Sequence, residues 1–160
     1  MGVEIERKFL VRGDAWRAGA EGIPVRQGYL SVDPPRAVRV RQTGKRGFLT
    51  IKGKTEGISR TEFEYPIPLE DAEELLEHLC LRPLIEKVRY RVPHAGLLWE
   101  VDEFLGENTG LILAEVELES AAQEVPLPPW AGREVSEDPR YFNAALARHP
   151  FTDWEAKGEP

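Results

Sequence analysis

A chain of 160 residues, of which 41% are hydrophobic and 31% charged, can form one domain with a buried core and is too apolar for a disordered polypeptide. Its net charge of −7 argues against a nucleic-acid-binding surface, which normally has an excess of basic residues. No apolar run approaches the roughly 20 residues that a membrane helix needs, and the early charges argue against a signal peptide. The single cysteine, Cys80, fits a reducing compartment. We therefore expect a cytoplasmic protein with neither nucleic-acid nor membrane partners.

Alternation of apolar and polar residues predicts eight β-strands along the chain. They are expected at Val3–Val11, Val25–Ser31, Ala37–Gln42, Phe48–Lys54, Arg60–Pro68, Leu84–Val92, Leu97–Phe104 and Leu111–Glu119. Glycine and proline separate these segments, and the short connections favour antiparallel neighbours. Helical spacing of apolar residues predicts helices at Glu70–Cys80 and Pro139–Arg148, and Asp14 can cap a short helix at Asp14–Ala18. We expect one domain over residues 1–156 and a frayed tail over 157–160.

Nearly every predicted strand has one apolar face and one charged face, because residues two apart in a strand share a face. The charged faces are also segregated by sign. Basic faces carry Arg39 and Arg41, Lys52 and Lys54, or Lys87, Arg89 and Arg91. Acidic faces carry Glu4 and Glu6, Glu62 and Glu64, or Glu115, Glu117 and Glu119.

The usual interpretation of such alternation is an apolar interior with the charged faces in solvent. Two features favour the opposite arrangement here. A solvated surface normally mixes the signs of its charges, whereas these strands separate them. The pattern Glu-x-Glu also recurs, and like charges on one face repel unless a cation lies between them. Oxygen ligands of this kind suit Mg²⁺ or Mn²⁺, so we expect a charged interior that binds divalent metal.

The N-terminal segment Val3-Glu-Ile-Glu-Arg-Lys-Phe-Leu-Val11 resembles the ExExK signature of the CYTH superfamily, the triphosphate tunnel metalloenzymes. Further similar segments follow in the same order over residues 3–150. They are Gln27-Gly-Tyr-Leu30, Arg39-x-Arg41, Thr50-Ile-Lys52, Glu62-x-Glu64, Lys87-x-Arg89, Val101-Asp102, Ala114-Glu-Val-Glu117, Trp130-x-Gly-Arg-Glu-Val135 and Arg140-Tyr-Phe-Asn143. The resemblance is strongest to the short bacterial inorganic triphosphatases.

This resemblance implies an α+β, mainly β fold: an eight-stranded antiparallel β-barrel tunnel with a charged lumen and a few covering helices. It implies a metal-dependent hydrolase that cleaves the terminal phosphoryl group of inorganic triphosphate or a related compound. Two alternatives stay open: a class IV adenylate cyclase, which converts ATP to cyclic AMP and pyrophosphate, and a non-catalytic polyphosphate or nucleotide sensor. The His-Phe pair common in the cyclase branch is absent from this sequence. The sequence leaves the oligomeric state open, including a homodimer.

The resemblance also assigns roles to individual residues. The triphosphate is expected to contact Lys8, Arg39, Arg41, Lys52, Lys87 and Arg89. One or two Mg²⁺ or Mn²⁺ ions are expected at Glu4, Glu6, Glu62, Glu64, Asp102, Glu115 and Glu117. The expected catalytic residues are Lys8, Tyr29 and Glu6, with Tyr29 paired with Lys8. A rim position is expected for Arg91, whereas Lys54 and Glu119 are left open between the lumen and the solvated mouth of the tunnel.

Overall fold

The computed structural model describes residues 2–154, which form a closed antiparallel β-barrel. Its strands are β1 (Val3–Val11), β2 (Gly22–Ser31), β3 (Ala37–Thr43), β4 (Arg46–Lys52), β5 (Ser59–Ile67), β6 (Ile85–His94), β7 (Leu97–Phe104) and β8 (Ile112–Glu117). They are ordered β5-β4-β3-β2-β6-β7-β8-β1, and pairing of β1 with β5 closes the barrel. A short strand, β9 (Ala131–Glu134), is added beside β1. The predicted eight-stranded antiparallel barrel is thus confirmed.

Two α-helices accompany the barrel: α1 (Leu69–His78) and α2 (Asn143–Arg148). The helix predicted to start at Pro139 is divided, because a separate 3-10 turn occupies Pro139–Tyr141. The short capped helix predicted at Asp14 is a 3-10 turn in which the Asp14 side chain makes no capping hydrogen bond. The predicted tail at 157–160 lies outside the described residues. No helix within residues 2–154 is both long and apolar enough to span a membrane.

The outer, apolar face of the barrel is covered in two places. Helix α1 packs Ala72 and Leu76 over Val40 of β3. Gly47 of β4 permits this approach, since a Cβ at that position would lie 2.7 Å from the Cβ of Ala72. On the other side, a tryptophan-rich cluster covers β1, β7 and β8. The apolar side of most strands is therefore turned away from the barrel axis, which leaves the charged side for the interior; β2 is the exception, because its Tyr29 faces the cavity.

One end of the barrel interior is apolar. Leu10, Ile85, Phe104 and Leu113 lie on the same strand faces as the charged residues but pack against the C-terminal segment in a single buried cluster. Tyr141, Leu146 and Trp154 of that segment belong to this cluster. Burial of apolar side chains here plugs one end, so the charged groups are confined to the remainder of the barrel.

Candidate functional site

A cavity of about 410 Å³ lies inside the barrel, and all eight barrel strands contribute to its wall. The alternation of side chains along each strand explains this convergence, because closing the sheet turns one face of every strand toward the axis. The charged residues predicted from the sequence that line it are Glu4, Glu6, Lys8, Arg39, Arg41, Lys52, Glu62, Glu64, Lys87, Arg89, Glu115 and Glu117.

Asp102 lies behind the cavity wall and is 1% exposed. It accepts hydrogen bonds from Arg89 Nε at 2.7 Å and Arg89 Nη2 at 2.8 Å, and it lies 2.9 Å from Lys87 Nζ. Burial alone would raise the pKa of Asp102, but Arg89 and Lys87 outweigh it and hold that pKa below its usual range. The structure thus surrounds Asp102 with cations and does not bring it into the cavity with the other carboxylates.

Two arginines of β3 share one carboxylate of β5. Arg41 Nη2 donates to Glu64 Oε2 at 3.0 Å, and Arg39 Nη2 lies 3.4 Å from the same oxygen. The Thr50 hydroxyl donates to it as well, at 2.9 Å. Burial, followed by the nearby Arg39 and Arg89, lowers the pKa of Arg41 to about 10. Positive charge is therefore in local excess on this side of the cavity.

Both lysines nearest the acidic residues form ion pairs. Lys8 Nζ lies 3.4 Å from Glu115 and also donates to the carbonyl oxygen of Tyr141. Lys52 Nζ lies between two carboxylates, 3.0 Å from Glu4 and 3.2 Å from Glu62. These contacts hold each ammonium group at the cavity wall.

Glu6 and Glu117 differ from the other carboxylates, because neither forms an ion pair within residues 2–154. Burial, together with the nearby Glu115 and Glu4, raises the pKa of Glu6 to about 8. Burial and the nearby Glu4 and Glu62 also raise the pKa of Glu117. Negative charge is therefore uncompensated at this part of the wall.

Among the described residues, no three Asp, Glu, His or Cys side chains already stand in a metal-binding arrangement. The chemistry of the crowded part of the wall still fits a hard cation, since its donors include the carboxylates of Glu6 and Glu117, whose pKa values are raised by burial and by neighbouring carboxylates. A divalent ion at Glu4, Glu6 and Glu117 would relieve that repulsion and would compete with Lys52 for Glu4.

Tyr29 lines the cavity, as expected, but its predicted pairing with Lys8 is not present among the described contacts. Its hydroxyl lies 3.5 Å from Gln27 Nε2 instead. Arg91, predicted at the rim, is exposed and does not line the cavity, and the same is true of Lys54 and Glu119, whose positions the sequence left open.

Sequence reasoning missed several residues of the wall. Arg60 and Glu100 line the cavity, and period-two spacing could have found them, because they share a strand face with Glu62 and Asp102 respectively. Ser136, Phe142 and Asn143 also line it. These residues belong to the C-terminal segment outside the barrel strands, where strand alternation carries no information.

The sequence profile described as the CYTH domain matches residues 2–149. An inorganic triphosphatase of Acetivibrio thermocellus is 50% identical over 155 residues, which cover 97% of this chain and 99% of that protein. An inorganic triphosphatase of Nitrosomonas europaea is 43% identical over 150 residues, covering 90% and 96% of the two chains. The crystal structure of an inorganic triphosphatase superposes with a TM-score of 0.63 at 40% identity, covering 89% of this chain and 96% of that one.

Proposed function

The chain belongs to the CYTH domain family, and we propose that it is a divalent-metal-dependent hydrolase that removes the terminal phosphoryl group of inorganic triphosphate. Two relatives that match nearly the whole chain are named for this activity. The observation that carries the proposal is the excess of positive charge at Arg39 and Arg41, which line the cavity and share the single carboxylate of Glu64. Phosphate oxygens match the geometry of arginine N–H groups and supply the compensating charge.

The proposed triphosphate site is formed by the inward-facing cations of six positions. These are Lys8, Arg39, Arg41, Lys52, Lys87 and Arg89. A linear triphosphate is a slender polyanion, and arginine forks match the geometry of its oxygens. The lowered pKa of Arg41, caused by burial and then by neighbouring arginines, supports this assignment, because a bound anion would offset the excess positive charge.

The proposed cofactor is Mg²⁺ or Mn²⁺, held mainly by Glu4, Glu6 and Glu117, with Glu62 and Glu115 beside them. Glu64 is a weaker candidate, because its carboxylate already accepts hydrogen bonds from Arg41 and Thr50. When bound, the ion would act as a Lewis acid on the phosphoryl oxygens.

The proposed reaction is attack of water on the terminal phosphorus. A bond forms between the water oxygen and phosphorus while the bridging P–O bond breaks, releasing orthophosphate and pyrophosphate. We assign the water proton to Glu6, a carboxylate of the cavity wall that forms no ion pair within residues 2–154 and that a bound divalent ion would keep in its charged, proton-accepting form. Lys8 and the hydroxyl of Tyr29 are assigned to the oxygens of the reacting group. Catalysis would rest on positioning and charge neutralisation, as in other phosphoryl transfers.

The test is product identity from two substrates. Purified protein with Mg²⁺ or Mn²⁺ is expected to release orthophosphate from tripolyphosphate faster than from ATP, because a cavity of about 410 Å³ favours a slender polyanion over a nucleotide. A chelator should abolish release. Preferential conversion of ATP to cyclic AMP would instead assign a cyclase, and tight binding of tripolyphosphate without turnover would assign a sensor.

A further inference from the structure

Asn143, the first residue of α2, extends its carboxamide into the cavity next to the apolar plug. Its Oδ1 atom accepts a hydrogen bond from Lys87 Nζ at 3.1 Å and another from Gln27 Nε2 at 3.2 Å. Both donors are deeply buried, with Gln27 0% and Lys87 2% exposed. The carboxamide is thus held by two side chains that have little freedom to move.

The orientation of this carboxamide follows from the chemistry of its partners. An ammonium group only donates hydrogen bonds, so the atom of Asn143 that faces Lys87 must be the oxygen. The amide nitrogen then faces away from Lys87. No acceptor for this Nδ2 group exists among the hydrogen bonds of residues 2–154. Two N–H donors are therefore available on a side chain that lines a cavity rich in cations.

The same contact restricts Lys87. An ammonium group has three N–H donors, and Lys87 directs two of them to Asp102 Oδ2 and Asn143 Oδ1. The third has no hydrogen-bond acceptor among the described residues. Asp102 and Asn143, together with the Phe104 ring whose centre lies 5.3 Å from Lys87 Nζ, therefore fix the position of this ammonium group at the plugged end of the cavity.

We propose that Asn143 is a substrate-binding residue: its Nδ2 group donates to a phosphoryl oxygen of the triphosphate at the plugged end of the cavity, while its Oδ1 atom orients Lys87. This inference rests on the proposed function. It adds a neutral donor from outside the barrel to the cations of the strands. A neutral amide can approach Lys87 closely without cancelling the positive charge that the polyanion needs.

The deciding variant is Asn143→Asp, which keeps the shape and the oxygen that accepts from Lys87 but replaces the donor with a second oxygen. If Asn143 only orients Lys87, this variant should lose no more affinity than Ala144→Asp, which adds the same charge at the next cavity-lining position and removes no donor. If Nδ2 donates to the substrate, KM for tripolyphosphate with Mg²⁺ should rise by about 100-fold or more, because a donor is lost and a like charge is added. The Tm without substrate should not fall, since Lys87 retains its acceptor.

Asn143→Ala provides an independent measurement in case the first variant does not fold. It removes the donor without adding charge, and KM should rise by about 10-fold. Gln123→Glu is the matched control. It makes the same amide-to-acid change on the surface and keeps the oxygen that accepts from the Glu119 backbone N–H at 2.7 Å, so KM should not change.

The outcomes separate the two proposals. Thermal unfolding in the presence of tripolyphosphate and a chelator reports binding by the wild type without turnover. If the wild type neither gains stability nor releases orthophosphate, the proposed function and the role of Asn143 are both wrong. Suppose instead that tripolyphosphate stabilises the wild type and that the wild type releases orthophosphate when metal is present. If either Asn143 variant then keeps its KM within twofold of the wild-type value, only the proposed role of Asn143 is overturned.

Discussion

Two groups of carboxylates belong to the same barrel and differ in how their charge is compensated. Asp102 and Glu115 each contact two cations within about 3.5 Å. Burial alone would raise the pKa of Glu115, but Lys8 and Arg89 outweigh burial and lower this pKa to about 2. Glu6 and Glu117 form no ion pair within residues 2–154, and their pKa values are raised.

In one part of the wall, the charges are therefore compensated by the protein itself. In the other part, compensation requires a bound cation. Around Asp102, the protein supplies both signs of charge, so the cations Lys87 and Arg89 are held in place before any ligand arrives. Around Glu6, burial and the carboxylates Glu115 and Glu4 outweigh the nearby Lys8 and Lys52, which costs stability until a further cation binds. The first part orients donors for an anion, and the second is suited to a metal ion.

The largest expected effect is on stability, at Asp102. Asp102→Ala should lower the free energy of unfolding by roughly 3–5 kcal/mol, because it leaves two buried cations without their shared partner. Glu103→Ala is the control on the same strand. Glu103 pairs with Arg17 on the outer face at 2.9 Å, where both side chains are substantially exposed, and its loss should cost about 1 kcal/mol or less. Urea unfolding measures the free energy of unfolding of both variants. Equal losses in the two variants would contradict the comparison.

The next effect is on the rate, where the two parts of the wall should respond differently. Arg41→Ala and Glu6→Gln should each lower kcat/KM for tripolyphosphate by roughly 10²–10³, equivalent to about 2.7–4 kcal/mol. Excess Mg²⁺ should partly restore kcat/KM of the Glu6→Gln variant, because that substitution weakens metal binding. It should not restore kcat/KM of the Arg41→Ala variant. Arg91→Ala, at an exposed position outside the cavity, is the control and should retain the wild-type rate. Equal metal rescue of both variants would show that the division of roles is wrong.

Metal ion alone should stabilise the wild type. A ligand that binds only the folded state at 100 times its Kd raises the free energy of unfolding by about 2.7 kcal/mol. We therefore expect millimolar Mg²⁺ or Mn²⁺ to raise the Tm of chelator-treated protein. The rise in Tm should be smaller for the Glu6→Gln variant and should equal the wild-type rise for the Glu103→Ala variant. An unchanged Tm of the wild type with both ions would remove the support for a metal at these carboxylates.

The smallest expected effect is a pH dependence of stability in the absence of metal. Because the pKa of Glu6 is raised from 4.5 to about 8 in the folded protein, the folded state holds this proton more tightly than the unfolded state. Stability from this group is present at low pH and is lost as the pH rises toward 8. The carboxylates with lowered pKa act in the opposite sense at lower pH, and Lys87, whose pKa burial lowers to about 8, does so mainly at higher pH. Glu117, whose pKa is also raised, acts in the same sense as Glu6, so the comparison with Glu6→Gln between about pH 6 and 7.5 assigns the part that belongs to Glu6.

With a chelator present, the Tm of the wild type should fall by a few degrees across that interval, and the Tm of Glu6→Gln should fall less. A steeper fall in Glu6→Gln than in the wild type would contradict the raised pKa. Saturating Mg²⁺ should remove the difference, because the ion holds the carboxylates in their charged form.

The sequence by itself determined the barrel strands and most of the charged side chains that line the cavity. Alternation along each strand separated the two faces, and the segregation of charge by sign, with the repeated Glu-x-Glu pattern, placed Glu4, Arg39 and Lys87 in the interior without knowledge of the pairing. Alternation also explains why β1 and β7 were predicted with their observed bounds. It could not predict β9, because four residues are too few for a period to be recognised.

Only the tertiary structure decided which charges meet. Asp102 and Glu115 are acidic residues on neighbouring strands, yet only Glu115 lines the cavity, because the strand register pairs Asp102 with Leu113 of the apolar plug and Glu115 with the cavity residue Glu100. The apolar plug and Asn143 depend on a segment that returns to the barrel from a distant part of the sequence. The pKa values of Glu6 and Glu115 diverge for the same reason: a carboxylate's charge is governed by its neighbours in space, and local alternation does not specify them.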